Sequence, residues 1–222
     1  EGGLGRDARG GHLALQQGET TGSESVPDRV RFPNNETIVA ISAGDSHSCA
    51  VDSKGLLFAW GCFRDSGGKF GFSGKVDIQY SPALMATKGE QMKDVMSGVD
   101  HVLALTKSGH VMTFGCAEQG RLGRMIKSEC DAKTKAGDKV MWKENILTPT
   151  KVTTLSDIAA IGCGAYGSFA ISGSSQVYAW GLNQYGQLGI EAEGDSAAEG
   201  DTAFFAPKAV PSLSGQRIQK IF

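Results

Sequence analysis

Residues 38 to 61, "IVAISAGDSHSCAVDSKGLLFAWG", return twice in altered form, as "KDVMSGVDHVLALTKSGHVMTFG" at 93–115 and "DIAAIGCGAYGSFAISGSSQVYAWG" at 157–181. Gly44 and Gly61, Gly98 and Gly115, and Gly164 and Gly181 keep one common spacing, while the lengths between copies differ. A fixed register with variable joints marks a structural repeat whose insertions fall in loops. Inside each copy, apolar stretches such as Cys49-Ala50-Val51 and Leu57-Phe58-Ala59-Trp60 flank a polar tetrapeptide, "DSKG", "TKSG" or "SGSS". This pattern predicts a β-hairpin. A strand before it ("TIVAIS", "KDVMSG", "SDIAAIG") and another after it ("SPALMAT", "LTPTKVTTL", "APKAVPSL") bring the count to four.

Four short strands in a unit of about 50 to 65 residues form the pattern of a β-propeller blade, whose sheet needs neighbours on both faces. The expected fold is therefore all-β. The chain divides into 1–37, the end of one blade with its linker; repeats at 38–92, 93–156 and 157–215; and 216–222, an opening strand. "EGGLGR" at the start matches the close of a repeat and "QRIQKIF" at the end matches an opening, so about three blades plus partial blades at both ends are expected.

Composition agrees with short strands and many turns: 31 glycines against 6 prolines, with 40% apolar residues. A net charge of -2 gives no global basic footprint for nucleic acid. The 5 cysteines lack C-x-x-C spacing, which argues against a zinc site or a disulfide framework and for a reducing compartment. No apolar run has the length of a membrane span, so no membrane partner is expected. "GCGAYG" at 162–167 satisfies G-x-G-x-x-G but leads into a hairpin rather than a helix, so it cannot seat a pyrophosphate. No nucleophile, base and metal constellation is visible, and neither a cofactor nor a metal is expected.

Each copy closes with an aromatic-glycine pair followed by a run to a further glycine. After Phe114-Gly115 the run is "CAEQGRLG" and after Trp180-Gly181 it is "LNQYGQLG", whereas after Trp60-Gly61 it is "CFRDSGGKFG", two residues longer. Residues 63–70 are an inserted wedge or, more plainly, a longer hairpin loop. Asp45 and Asp100 sit in short loops ahead of the hairpins but are offset by one position, so the repeat itself demands neither; an Asx-turn is the ordinary role for such residues. His47 and His101 do align, which favours a structural role with a ring nitrogen bonding a neighbouring blade's backbone. The segment 125–147 mixes lysines with acids, and 190–203 is acidic and rich in small residues; both read as solvated loops.

"SAGDSHSCAV", "FAWGCFRDSGG", "SGVDHVLALTKSGHVMTFGCAEQGRLGR" and "CGAYGSFAIS…VYAWGLNQYGQLG" resemble the regulator of chromosome condensation family, the exchange factors for the small GTPase Ran. The resemblance implies a seven-bladed β-propeller, nuclear and chromatin-associated, a monomer when full length, that empties Ran of GDP without covalent chemistry. It implies an exchange role for Asp45 and Asp100. Contact with the GTPase would come from His47, His101 and the wedge residues Phe63, Arg64, Asp65, Ser66, Gly67, Gly68, Lys69 and Phe70. Contact with nucleosome histones and DNA would involve Arg124, Lys127, Lys133 and Lys135. The alternative is a propeller of the same superfamily that serves as a scaffold or receptor, with the wedge an inert loop.

Exchange sets a physical requirement. Accelerating release by about 10⁴ takes about 5.4 kcal/mol, while one exposed ion pair contributes only about 0.2–1 kcal/mol. A broad interface with a protruding, rigidly based element is therefore needed.

Overall fold

Each copy folds as one antiparallel sheet in a computed structural model that describes residues 27–130, 139–191, 203–213 and 215–221. In the first, β1 (Ile38–Ala43), β2 (His47–Asp52) and β3 (Leu57–Gly61) run in order, then a small hairpin of β4 (Phe63–Asp65) and β5 (Gly68–Gly71) intervenes before β6 (Gln79–Leu84) pairs with β3. The second consists of β7 (Met92–Ser97), β8 (His101–Thr106), β9 (Val111–Gly115) and β10 (Thr150–Lys151). β11 (Ile158–Cys163), β12 (Gly167–Ser172), β13 (Val177–Leu182) and β14 (Ala203–Ala209) make the third. These are blades of a β-propeller. Each predicted fourth strand lies across the long loop from the third, in all three copies.

The polar tetrapeptides make the same turn with three different side chains. Asp52 Oδ1 accepts the Leu56 N–H at 2.7 Å, Thr106 Oγ1 the His110 N–H at 2.9 Å, and Ser172 Oγ the Gln176 N–H at 3.0 Å. A short oxygen-bearing side chain satisfies the backbone there. The aromatic-following glycines are fixed by sterics as well as by φ, at +97°, +109° and +103° for Gly61, Gly115 and Gly181. A Cβ at any of them would strike the carbonyl oxygen of Ser46, Asp100 or Tyr166, respectively.

The blades join edge to edge through their first strands, β1 beside β7 and β7 beside β11. At one end the joint includes a run of main-chain bonds: the Asp45 N–H donates to Val99 O and the Val99 N–H to Ala165 O, each at 3.0 Å. Between the first two sheets lies an apolar core that includes Val51, Leu57, Phe63, Met92, Phe114 and Ile146. A second core, with Leu103, Leu105, Ile158 and Trp180, fills the space between the second and third. The outer face of the first sheet is covered in part by Val30 and Phe32, and that of the third by Ile218 and Ile221.

Two segments differ from the sequence expectation. The run 125–147 is not simply a solvated loop: it holds helical pieces Lys127–Cys130 and Lys139–Leu147, with Ile146 and Leu147 buried in the first core. Among the described residues, 215–221 form no strand, although Ile218 and Ile221 pack against the core of the third sheet. The start "EGGLGR" and most of the acidic run 190–203 lie outside the described residues.

Candidate partner-docking site

The additional residues after Gly61 build the β4–β5 hairpin, a finger with a buried base and an open tip. Phe63, the first residue of β4, is 0% exposed and stacks over His47 with ring centroids 4.6 Å apart, with Phe114 edge-on at 5.8 Å. Phe70 closes the other leg of the base and meets Trp142 at 6.4 Å. Both rings, expected among the partner-contacting residues, are instead sealed in the core between blades, because a ring of that size is most stable where it is desolvated. The surface of the finger is left to Arg64, Ser66, Gly67 and Lys69, all exposed, with Asp65 and Gly68 half-buried. The turn is closed by Asp65 Oδ1, which accepts the Gly67 N–H at 2.7 Å, while Gly68 takes φ +106°.

Two carboxylates of the following blade grip this finger. Asp100 Oδ1 accepts the Arg64 N–H at 2.9 Å, so Asp100 makes not a local Asx-turn but a bond to the preceding repeat. Burial raises the Asp100 carboxyl above its ordinary range, opposed by the Arg64 N–H and by the charge of Arg121. At the tip, Glu118 accepts from Ser66 twice, from its N–H at 3.0 Å and its hydroxyl at 2.6 Å. Asp45 lies on the same end, exposed, and its charge adds to the upward push on Asp100.

The two aligned histidines are packed under this end rather than offered to a partner. Burial pushes the His47 ring down to about 4, and neither ring nitrogen has a hydrogen-bond partner. His101 is driven down to about 3, chiefly by burial and then by the charge of Arg121. Its Nε2 lies 2.9 Å from Ser168 Oγ, and the Ser168 hydroxyl proton is committed to the Arg121 carbonyl at 3.0 Å. The His101 ring must therefore carry its proton on Nε2 and donate to Ser168. The neighbouring-blade bond exists for His101, but to a side chain rather than backbone.

Three residues at this end escape a reading based on the family's motif residues: Glu118, Arg121 and Tyr166. The Arg121 guanidinium lies 4.6 Å over the Tyr166 ring, and its Nη2 donates to Gln119 Oε1 at 2.9 Å. The signal was available in the repeat itself, since the third copy has Gln184 and Gln187 where the second has Glu118 and Arg121.

Arg124 and Lys127 part company. Arg124 turns inward: its Nη2 donates to the Asn145 carbonyl at 2.8 Å and its Nε to Thr113 Oγ1 at 3.2 Å, stapling helix Lys139–Leu147 to β9. Burial lowers its guanidinium to about 10. An arginine so engaged is a poor candidate for the histone contact expected of it. Lys127 is exposed, and Lys133 and Lys135 lie outside the described residues. Among the described residues no three His, Cys, Asp or Glu side chains gather as a metal-binding set.

Comparison with known proteins gives a consistent picture. The model of the RCC1-like domain matches residues 1–221. The regulator of chromosome condensation of Drosophila melanogaster is 36% identical over 201 residues, which cover 89% of this chain and 33% of that protein. The guanine nucleotide exchange factor SRM1 of Saccharomyces cerevisiae is 30% identical over 191 residues, covering 82% of this chain and 37% of the other. Among solved structures, Prp20p of Saccharomyces cerevisiae, described with its binding to Gsp1p and histones, superposes with a TM-score of 0.74 at 28% identity, over 94% of this chain and 43% of that one. The chain thus spans less than half the length of the relatives it matches.

Proposed function

This chain belongs to the RCC1-like domain family, and we propose that it supplies the finger-bearing part of a guanine nucleotide exchange factor for the small GTPase Ran. The relative named as an exchange factor supports the class of activity. The observation that carries the reading within this chain is the β4–β5 hairpin: its tip is exposed, its first strand is bonded to Asp100, and its base is sealed between two blades.

The mechanism needs no bond to form or break. The finger enters the partner near its phosphate-binding loops, and the carboxylate of Asp45, with Asp100 behind it, engages basic groups of the GTPase. By linkage, a factor that binds the empty GTPase more tightly than the loaded one weakens nucleotide binding by the same ratio. A hairpin with a loose base would give up this advantage through the entropy of ordering it on docking; Phe63, Phe70 and the two carboxylates remove that cost beforehand. We place the protein in the nucleus at chromatin, supported by the histone binding described for the yeast relative.

The test is release of labelled GDP from Ran by the full-length protein and by a variant in which Arg64–Lys69 are replaced by an Asn-Gly turn, with Phe63 and Phe70 kept so that the core survives. The shortened finger is expected to slow release at least about tenfold, equivalent to about 1.4 kcal/mol of lost transition-state stabilisation. Equal rates in the two proteins would remove the finger from the mechanism.

A further inference from the structure

The carboxylate of Glu118 has no counterpart in the third copy, where the aligned residue is Gln184, exposed to solvent. It stands half-buried in the turn Glu118–Gly120, three residues after Gly115 of the second blade, and reaches across the inter-blade joint to the finger of the first. There it takes both groups that Ser66 can donate, the N–H at 3.0 Å on one oxygen and the hydroxyl at 2.6 Å on the other. Bonds to an ionised acceptor are about twice as strong as neutral ones, and a two-point contact fixes direction as well as distance. The finger is a two-stranded hairpin, an element that has little stability alone.

We propose that Glu118 is a positioning residue for the finger, setting the angle at which its tip meets a partner. This rests on the exchange reading above. The base of the hairpin is held by Phe63 in the core and by the Arg64 N–H on Asp100. Those contacts lie at the base, and Glu118 adds a two-point hold on the tip from the neighbouring blade. The sequence supplies the matching donor: Ser66 opens the tip, and Gly67 and Gly68 follow it with no side chain to obstruct the approach.

Two measurements on the full-length protein test the assignment. Hydrogen exchange of the Ser66 amide in the absence of any partner reports the brace itself; Glu118→Ala is expected to speed it about tenfold or more, as a local opening becomes easier. GDP release from Ran reports the consequence. Glu118→Ala is expected to lower kcat about three- to tenfold with KM little changed, because docking is intact while the tip is misdirected. Glu118→Gln, which keeps an acceptor for the Ser66 N–H, should recover most of the loss, and Ser66→Ala should lose less than Glu118→Ala.

Unchanged Ser66 exchange in Glu118→Ala would overturn the brace. Faster exchange with wild-type or quicker GDP release would overturn the positioning role, as would a fall in KM-limited binding that Glu118→Gln does not restore. Absence of release by the intact wild-type protein would instead overturn the exchange reading, an outcome distinct from the others.

Discussion

The runs that follow Gly61 and Gly181 begin from the same backbone corner and end in opposite ways. After Gly181 the chain satisfies itself: Asn183 Oδ1 accepts the Leu188 N–H at 2.9 Å, Asn183 Nδ2 donates to the Ile190 carbonyl at 2.7 Å, and Leu188 is buried against its own sheet. After Gly61 the chain looks outward, with Phe63 in the core shared by two blades and Arg64 and Ser66 bonded to Asp100 and Glu118 of the next. A run that closes on itself is scaffold, and its sequence can drift if the closure survives. A run bonded at its base and its tip to a neighbour is a positioned part, and its sequence is tied to that neighbour's.

The contrast can be broken most forcefully at Phe63. Phe63→Ala is expected to cost about 3–5 kcal/mol in denaturant unfolding of the full-length protein, the usual range for emptying a fully buried aromatic site, and to raise amide exchange throughout residues 64–69. Leu188→Ala should also destabilise, yet leave the finger's exchange rates as they were. Equal loosening of the finger in both variants would show that the two runs are not separately held.

Acid probes the same difference, because the third copy has Gly167 where the first two have His47 and His101. Burial holds the folded-state values at about 4 and about 3, below the ordinary histidine range. The folded protein therefore binds fewer protons than the unfolded chain, and stability falls as pH drops from about 6.5 toward those values, by about 1.4 kcal/mol per pH unit for each ring. His47→Leu should remove one ring's share of the slope in urea titrations between pH 6.5 and 4.5; an unchanged slope would mean that His47 can be protonated in place.

Asp100 sharpens the comparison with the smallest effect. Asp100→Asn retains an oxygen for the Arg64 N–H and is expected to alter stability by less than about 1 kcal/mol, whereas Asp100→Ala leaves that donor without its acceptor and should cost about 1–3 kcal/mol. The sign with pH is opposite to that of the histidines. Burial raises the folded Asp100 carboxyl, so its contribution is largest below the ordinary carboxylate value and declines as pH rises through the raised one. Asp100→Asn should abolish that decline above the ordinary carboxylate value while leaving the histidine slope.

The sheets were legible because their causes are local and repeated. Gly61, Gly115 and Gly181 each answer the same carbonyl clash, and Asp52, Thr106 and Ser172 each close the same turn, so three copies testify to one geometry. The finger was legible as an excess of two residues. Its attachments were not, because the bonds to Asp100 and Glu118 join positions far apart in the chain and follow no period. The helix Lys139–Leu147 was missed for a related reason: its apolar residues Trp142, Ile146 and Leu147 serve a core shared with the preceding blade, and a pattern read within one repeat does not show that purpose.

The main-chain ladder from Asp45 to Val99 to Ala165 carries a consequence for how such proteins diversify. Peptide groups are identical whatever residue bears them, so this link between adjacent spokes is indifferent to the side chains displayed there. One spoke can acquire a new tool while the angular setting of the wheel stays the same.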